Sequence, residues 1–235
     1  MAHVARTPVS NRLLDGLPAK AQQGVRRECE LVELSFGEIL GEPGGRIRDV
    51  YFPTASFVSL VATVAGGDSL EVGVIGSEGM LGISLSLGRE ASPLRSVVQG
   101  SGGAWRMQAG HFRSVLLRTP SLRRSLDSYA YVLLAQFAQT AACACFHVLE
   151  ARLARWLLMT HDRADDDHFF LTHALLAGIL GVRRSGVTVA AGELQRRKLI
   201  RYSRGGITIL DRKGLERASC DCYKVMTDAY ARHAH

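Results

Sequence analysis

Hydrophobic positions along this chain change their period twice. From Leu31 to Met107 apolar and β-branched residues come in short runs parted by glycine-rich breaks, predicting strands at 31–34, 50–52, 57–64, 70–75, 96–99 and 104–107. The breaks at 42–45, 65–68 and 100–103 have turn composition, and strands at such spacing predict a barrel or jelly roll. Residues 11–29 read as one or two short helices broken at Gly16 and Pro18, and 111–117 as another short helix.

Beyond Pro120 the period becomes helical. Leu122, Leu126, Tyr129, Leu133, Gln136, Thr140, Cys143 and His147 step by three and four, which predicts a long helix over 121–149 with a heptad seam. At ~1.5 Å per residue it reaches about 45 Å, longer than a small domain is wide, so the expected partner of that seam is the same helix of a second copy. The alternative is a core helix packed inside one subunit. No charge interrupts 128–149, a length that can cross a bilayer, but Gln136, Gln139, Thr140 and His147 argue against a membrane partner.

A shorter pattern closes the chain. Thr172 is placed to cap a helix carrying Leu175, Leu176, Ile179 and Leu180, and Gly181 to end it in a tight turn. A second helix starts near Arg183 with Val187, Ala190, Ala191 and Leu194 inward, leaving Arg183, Arg184, Ser185, Thr188 and Gly192 outward. The runs 199–202 and 207–210, joined through Ser203-Arg204-Gly205-Gly206, predict a hairpin. Helix, glycine turn, helix and hairpin make a winged helix-turn-helix.

Charge sharpens this. The net charge of +7 lies wholly at the C-terminal end: residues 171–235 hold 12 Lys/Arg against 5 Asp/Glu, while 1–170 hold 17 of each. A neutral body with a basic end predicts a polyanion partner there, because Lys and Arg displace counterions from phosphates. Residues 1–18 contain no apolar core of signal-peptide length, which predicts a cytoplasmic protein whose five cysteines are thiols. Neither Cys143-Ala144-Cys145 nor Cys220-Asp221-Cys222 has zinc-knuckle spacing, and the three consecutive aspartates Asp165, Asp166 and Asp167 before His168 lack the alternation of a hard-metal loop. The expectation is no metal and no cofactor. Scattered histidines and the absence of a phosphate loop predict that the chain is not an enzyme and has no catalytic residues.

Leu171-Thr172, Leu176-Ala177, Leu180-Gly181-Val182-Arg183-Arg184, Leu194-Gln195-Arg196, Leu199-Ile200 and Gly206-Ile207-Thr208-Ile209-Leu210-Asp211 resemble the Crp/Fnr transcription regulators. Glu150 to Leu158 is similar to the segment where that family leaves its long helix, and the resemblance spans 31–215. It implies an α+β chain: a cyclic-nucleotide-type β-roll (double-stranded β-helix, or jelly-roll) sensor over 1–118, a dimerisation helix and hinge over 119–160, and a winged helix-turn-helix over 161–235. Nucleotide-binding members carry a Gly-Glu pair for the ribose and an Arg-Ser pair for the cyclic phosphate. Here the first falls on Gly82-Ile83 and the second on Arg95-Ser96, and Ile83 accepts no hydrogen bond, so cyclic AMP and cyclic GMP are not expected. The expected effector pocket therefore comprises Gly82, Ile83, Arg95, Ser96, Gln136 and Thr140, with an unknown small molecule or redox event as the signal. Relatives' Arg-Glu pair and following arginine fall on Arg184-Ser185 and Val189, so their DNA sequence does not carry over. DNA contacts are expected from Arg183, Arg184, Ser185, Thr188, Arg201 and Arg204 on a palindromic duplex site, with RNA polymerase as the further partner. The rival reading is a dimeric adaptor that keeps the fold and binds protein instead of DNA.

Overall fold

A computed structural model describes residues 10–164, 166–203 and 205–233. Two short helices, α1 (Arg12–Asp15) and α2 (Ala19–Arg27), lead into β1 (Glu30–Leu34), β2 (Ile39–Gly41), β3 (Asp49–Pro53), β4 (Phe57–Thr63), β5 (Ser69–Ile75), β6 (Arg95–Gly100) and β7 (Gly102–Gln108). These form two antiparallel sheets, β1-β7-β3 and β2-β6-β4-β5, with Leu34 and Ala104 of one meeting Val58, Leu60, Ile75 and Val98 of the other. The double-sheet jelly roll follows from the alternation, which aims every second side chain into that shared layer. Only β2 escaped the pattern: it is three residues long, lies at a sheet edge and leaves Ile39 exposed.

Helices α3 (Ala109–Arg118), α4 (Pro120–Phe146) and α5 (Leu149–His161) follow. The helix expected over 121–149 stops at Phe146, and His147 and Val148 are extended before α5 begins. No glycine or proline marks this bend.

The heptad seam of α4 is buried within its own chain, not offered to a second copy. Leu122, Leu126 and Tyr129 pack with Leu14, Phe52, Met107 and Phe112, and Leu133 enters the layer between the sheets. Gln136 Oε1 accepts from the Val74 amide at 2.7 Å, and its Nε2 donates to the Tyr230 hydroxyl at 2.7 Å. Three-four stepping specifies that a face is buried but not what buries it. The opposite face carries Asp127, Tyr131, Leu134, Ala138, Ala141 and Cys145, which step by the same intervals and are exposed. By length and composition α4 is apolar enough to cross a bilayer, yet its buried face is packed against the sheets and against α9 (Cys222–His233).

The C-terminal part has its own core. Leu153 and Leu157 of α5 join Leu176 of α6 (His173–Leu180), Val187 and Leu194 of α7 (Arg184–Arg196), Ile207 and Leu215. Strands β8 (His168–Phe170), β9 (Ile200–Ser203) and β10 (Gly206–Ile209) pair in the order β8-β10-β9, and α8 (Arg212–Ala218) leads to α9. His168, which follows the run of aspartates in the sequence, opens β8 and pairs with Thr208.

Polar links tie the two halves. Trp156 Nε1 on α5 donates to Glu71 Oε1 on β5 at 2.7 Å, and Ser59 donates to the other oxygen. Burial pushes the Glu71 carboxyl up to about 7, against the pull of those two hydrogen bonds and of Arg155 and Arg163. Arg163 forks onto Glu78 at 2.6 to 2.8 Å, both side chains almost wholly enclosed.

Candidate nucleic-acid interface

The geometry starts with a cap and a glycine. Thr172 accepts from the Leu175 amide at 3.2 Å, satisfying an open donor of α6. Gly181 then adopts φ 63°, a conformation costly for any residue with a Cβ, and the chain turns so that α6 and α7 meet at a bend of 105°. Val187, Ala190, Ala191 and Leu194 point into the core. That leaves Arg184, Ser185, Thr188 and Val189 exposed along α7, with Arg183 exposed at its N-cap. Arg183 makes no side-chain cap, so the first-turn amides of α7 and two guanidiniums share one end of the helix. An anion is favoured at such an end.

Thr188 is less free than its exposure suggests. Its Oγ1 lies 3.0 Å from His173 Nδ1 and 3.1 Å from the Arg184 carbonyl, so its hydrogen-bonding capacity is engaged inside the protein. The His173 ring stacks on Tyr202 at 4.2 Å, and Gln195 Oε1 accepts from the Tyr202 amide at 2.7 Å. Burial and then the neighbouring Arg184 charge push the His173 pKa down, keeping the ring neutral. His173, Gln195 and Tyr202 thus brace α7 from α6 and the wing, and no spacing in the sequence announced them. Arg201 is exposed on β9 opposite Thr208. Arg204 lies outside the described residues.

The six residues expected to form an effector pocket are separated. Gly82, Ile83 and Ser96 line one cavity of about 90 Å³ with Leu40, Ile47, Leu60, Leu81, Leu94 and, from α4, Leu133 and Phe137. Gly82 holds φ 96°, and a Cβ there would come within 2.9 Å of Val50 Cγ1, so glycine is required. Arg95 is turned outward, its Nε and Nη2 forked onto Glu42 at 2.9 and 2.8 Å. Gln136 and Thr140 are buried but do not line the cavity. A helix turns about 100° per residue, so Gln136 faces Val74 and Tyr230 while Phe137 faces the cavity.

Residues 151–218 match the family model of the Crp-like helix-turn-helix domain. The whole fold is similar to FixK2 from Bradyrhizobium japonicum at 13% identity and TM-score 0.68, covering 82% of this chain and 98% of that one. It is equally similar to a putative transcriptional regulator of the Crp/Fnr family from Eubacterium rectale, at 17% identity and TM-score 0.68, covering 88% and 96%. The c-di-GMP-responsive global regulator CLP of Xanthomonas campestris aligns at 14% identity and TM-score 0.65 over 82% and 99%. No curated protein sequence matches the chain. Residues 151–218 thus form a Crp-like helix-turn-helix domain, carried on a chain whose fold is similar to that of FixK2 and of a Crp/Fnr-family regulator.

Proposed function

We propose that the protein is a homodimeric, sequence-specific regulator that reads a palindromic duplex site and works with RNA polymerase in the cytoplasm. The observation that carries this reading is the exposed end of α7, where Arg183, Arg184 and Ser185 stand clear of a helix braced on its other side. Arg184 is the base reader, since its fork suits a guanine edge in the major groove. Arg183, Arg201 and Arg204 hold phosphates, and Thr188 serves to position α7. The work divides into sensor (1–118), dimer helix with hinge (119–160) and reader (161–235).

Dimerisation uses the exposed stripe Tyr131, Leu134, Ala138, Ala141 and Cys145. Small residues at Ala138 and Ala141 let two such helices approach closely, with Leu134 as an apolar knob. The effector class is a small, mainly apolar molecule, supported by a lining in which aliphatic side chains and Phe137 outnumber Asp49, Ser84, Ser92 and Ser96, and by the outward fork of Arg95 onto Glu42, which withholds that guanidinium from a cyclic phosphate. A cavity of about 90 Å³ is far below the roughly 300–1,000 Å³ of ordinary ligand sites, so a nucleotide finds no room without rearrangement.

The test is binding to an unspecific duplex across a salt series, followed by selection of a preferred site from random sequence. Each phosphate held adds about 0.9 to the negative log–log slope. A steep slope and a selected palindrome are expected. A flat slope would point instead to a protein-binding adaptor, and Arg184→Ala losing affinity equally on selected and random duplex would remove Arg184 from the reader role.

A further inference from the structure

The last residues of α4 and the turn between α8 and α9 bring four metal-ligand atoms to one point. Cys143 lies in the last turn of α4, and His147 is the residue that caps it, its amide donating to the Cys143 carbonyl at 3.2 Å. Cys220 lies in the turn and Cys222 is the first residue of α9. On one helix the two sulfurs of a Cys-x-Cys pair would point about 200° apart, but here only Cys222 is helical, and Cys220 can turn toward the same point. Cys143 Sγ is 3.5 Å from Cys220 Sγ, and Cys222 Sγ is 3.4 Å from His147 Nδ1. All four ligand atoms lie within 4.8 Å of one another. Cys143, Cys220 and Cys222 form a small buried cluster of their own, with Ala151 against it.

We propose that Cys143, His147, Cys220 and Cys222 bind a zinc ion as a tetrahedral three-thiolate, one-imidazole site. Zinc–sulfur bonds of about 2.3 Å and zinc–nitrogen bonds of about 2.0–2.1 Å give tetrahedral edges of about 3.5 Å between S and N and about 3.8 Å between sulfurs, within a few tenths of an ångström of the Cys222–His147 and Cys143–Cys220 separations. The thiolate-rich donor set selects against magnesium and calcium, which take oxygen ligands. Binding replaces three S–H bonds by three Zn–S bonds and sends the three protons to solvent. The divalent ion with three thiolates leaves one negative charge, and Arg152 and Arg155 of α5 are near enough to interact with Cys143. An outer partner is also in place: Gln139 Nε2 donates to Cys222 Sγ at 2.9 Å.

The position gives the ion a task. Cys143 and His147 flank the end of α4, immediately before the bend into α5, while Cys220 precedes and Cys222 starts the helix that packs back on α4. The bound ion staples the end of the reader to the end of α4 and so fixes the angle of the bend between them. Exposed His147 is the side from which the ion enters. The site stands whether or not the protein reads DNA.

The full chain, expressed with zinc and purified without chelator, is expected to retain one zinc per chain by elemental mass spectrometry. After removal of zinc under reducing conditions, cobalt(II) should give the visible bands of a tetrahedral site with thiolate charge transfer, bleached by added zinc. Cys143→Ser, Cys220→Ser and Cys222→Ser should each abolish retention, Gln139→Ala should weaken cobalt binding roughly 10- to 100-fold, and Cys145→Ser should leave zinc retention as in the wild type. The wild-type titration keeps the test independent of whether any variant folds. Octahedral cobalt spectra, no cobalt spectrum from folded zinc-free protein, or a Cys143–Cys220 disulfide in place of metal in freshly purified protein would each overturn the assignment.

Discussion

The two faces of α4 have the same period and opposite fates. Leu122, Leu126, Tyr129, Leu133, Gln136, Thr140 and Cys143 step by three and four and are buried by the sheets, α3 and α9 of the same chain. Asp127, Tyr131, Leu134, Ala138, Ala141 and Cys145 step the same way and are exposed. Partners within the chain separate them. The own-chain face is filled with large apolar groups and with polar groups whose partners are already in place, such as Gln136 on Val74 and Tyr230. The exposed face mixes Asp127, Tyr131 and Leu134 with Ala138, Ala141 and Cys145. A continuous stripe at helical spacing thus marks a face but not its surroundings, since two such stripes on one helix lie one in the core and one at the surface of the chain.

The sharpest way to break this comparison is to hollow the own-chain face. Leu126→Ala removes a fully buried side chain and should cost about 2–5 kcal/mol in urea unfolding, the transfer and cavity terms adding together. A loss below about 1 kcal/mol would mean that this face is not the packed one.

Glu71 tests the link beside that face at intermediate cost. Its folded pKa, near 7, lies above the ordinary carboxylate value, so between about 4.5 and 7 the folded chain keeps a proton that the unfolded chain has released. Stability from this group is therefore present at low pH and lost as pH rises through that window, by about 3 kcal/mol in all. Glu71→Gln keeps an acceptor for Trp156 and has no charge to bury. The wild type minus variant difference in urea midpoint should fall from pH 5 to pH 8, and a flat difference would show that Glu71 ionises without penalty.

Smallest in folding energy is Leu134→Glu on the exposed face. It should change unfolding of the single chain by no more than about 0.5 kcal/mol while light scattering reports monomers. A variant that stays dimeric would place the dimer contact elsewhere. Leu133→Glu, one residue away, buries a charge between the sheets and reports only on folding.

Much of the fold was legible because it rests on local rules. Six strands were written in alternation and glycine breaks, Thr172 and Gly181 bound α6 by capping and a left-handed turn, and Val187, Ala190, Ala191 and Leu194 marked the inner face of α7. The bend at His147 and the two helices after Asp211 carried no such signal, and β2 was too short and too exposed for one. In the interface, Arg184 and Ser185 were legible as outward positions, but the engagement of Thr188 by His173 was not, since it needs α6 and α7 already crossed. The parting of Arg95 from Ser96 was equally invisible: adjacent strand residues point to opposite faces, and Glu42, which claims Arg95, is far away in sequence.

Local sequence sufficed for six strands of the jelly roll, the helix-turn-helix and the sign of its charge, since each depends on residues within a few positions of one another. Only the tertiary structure decided which face of α4 meets its own chain and that Cys143 and His147 meet Cys220 and Cys222. Those outcomes depend on contacts between segments distant along the chain, and no local period encodes where a distant segment will arrive.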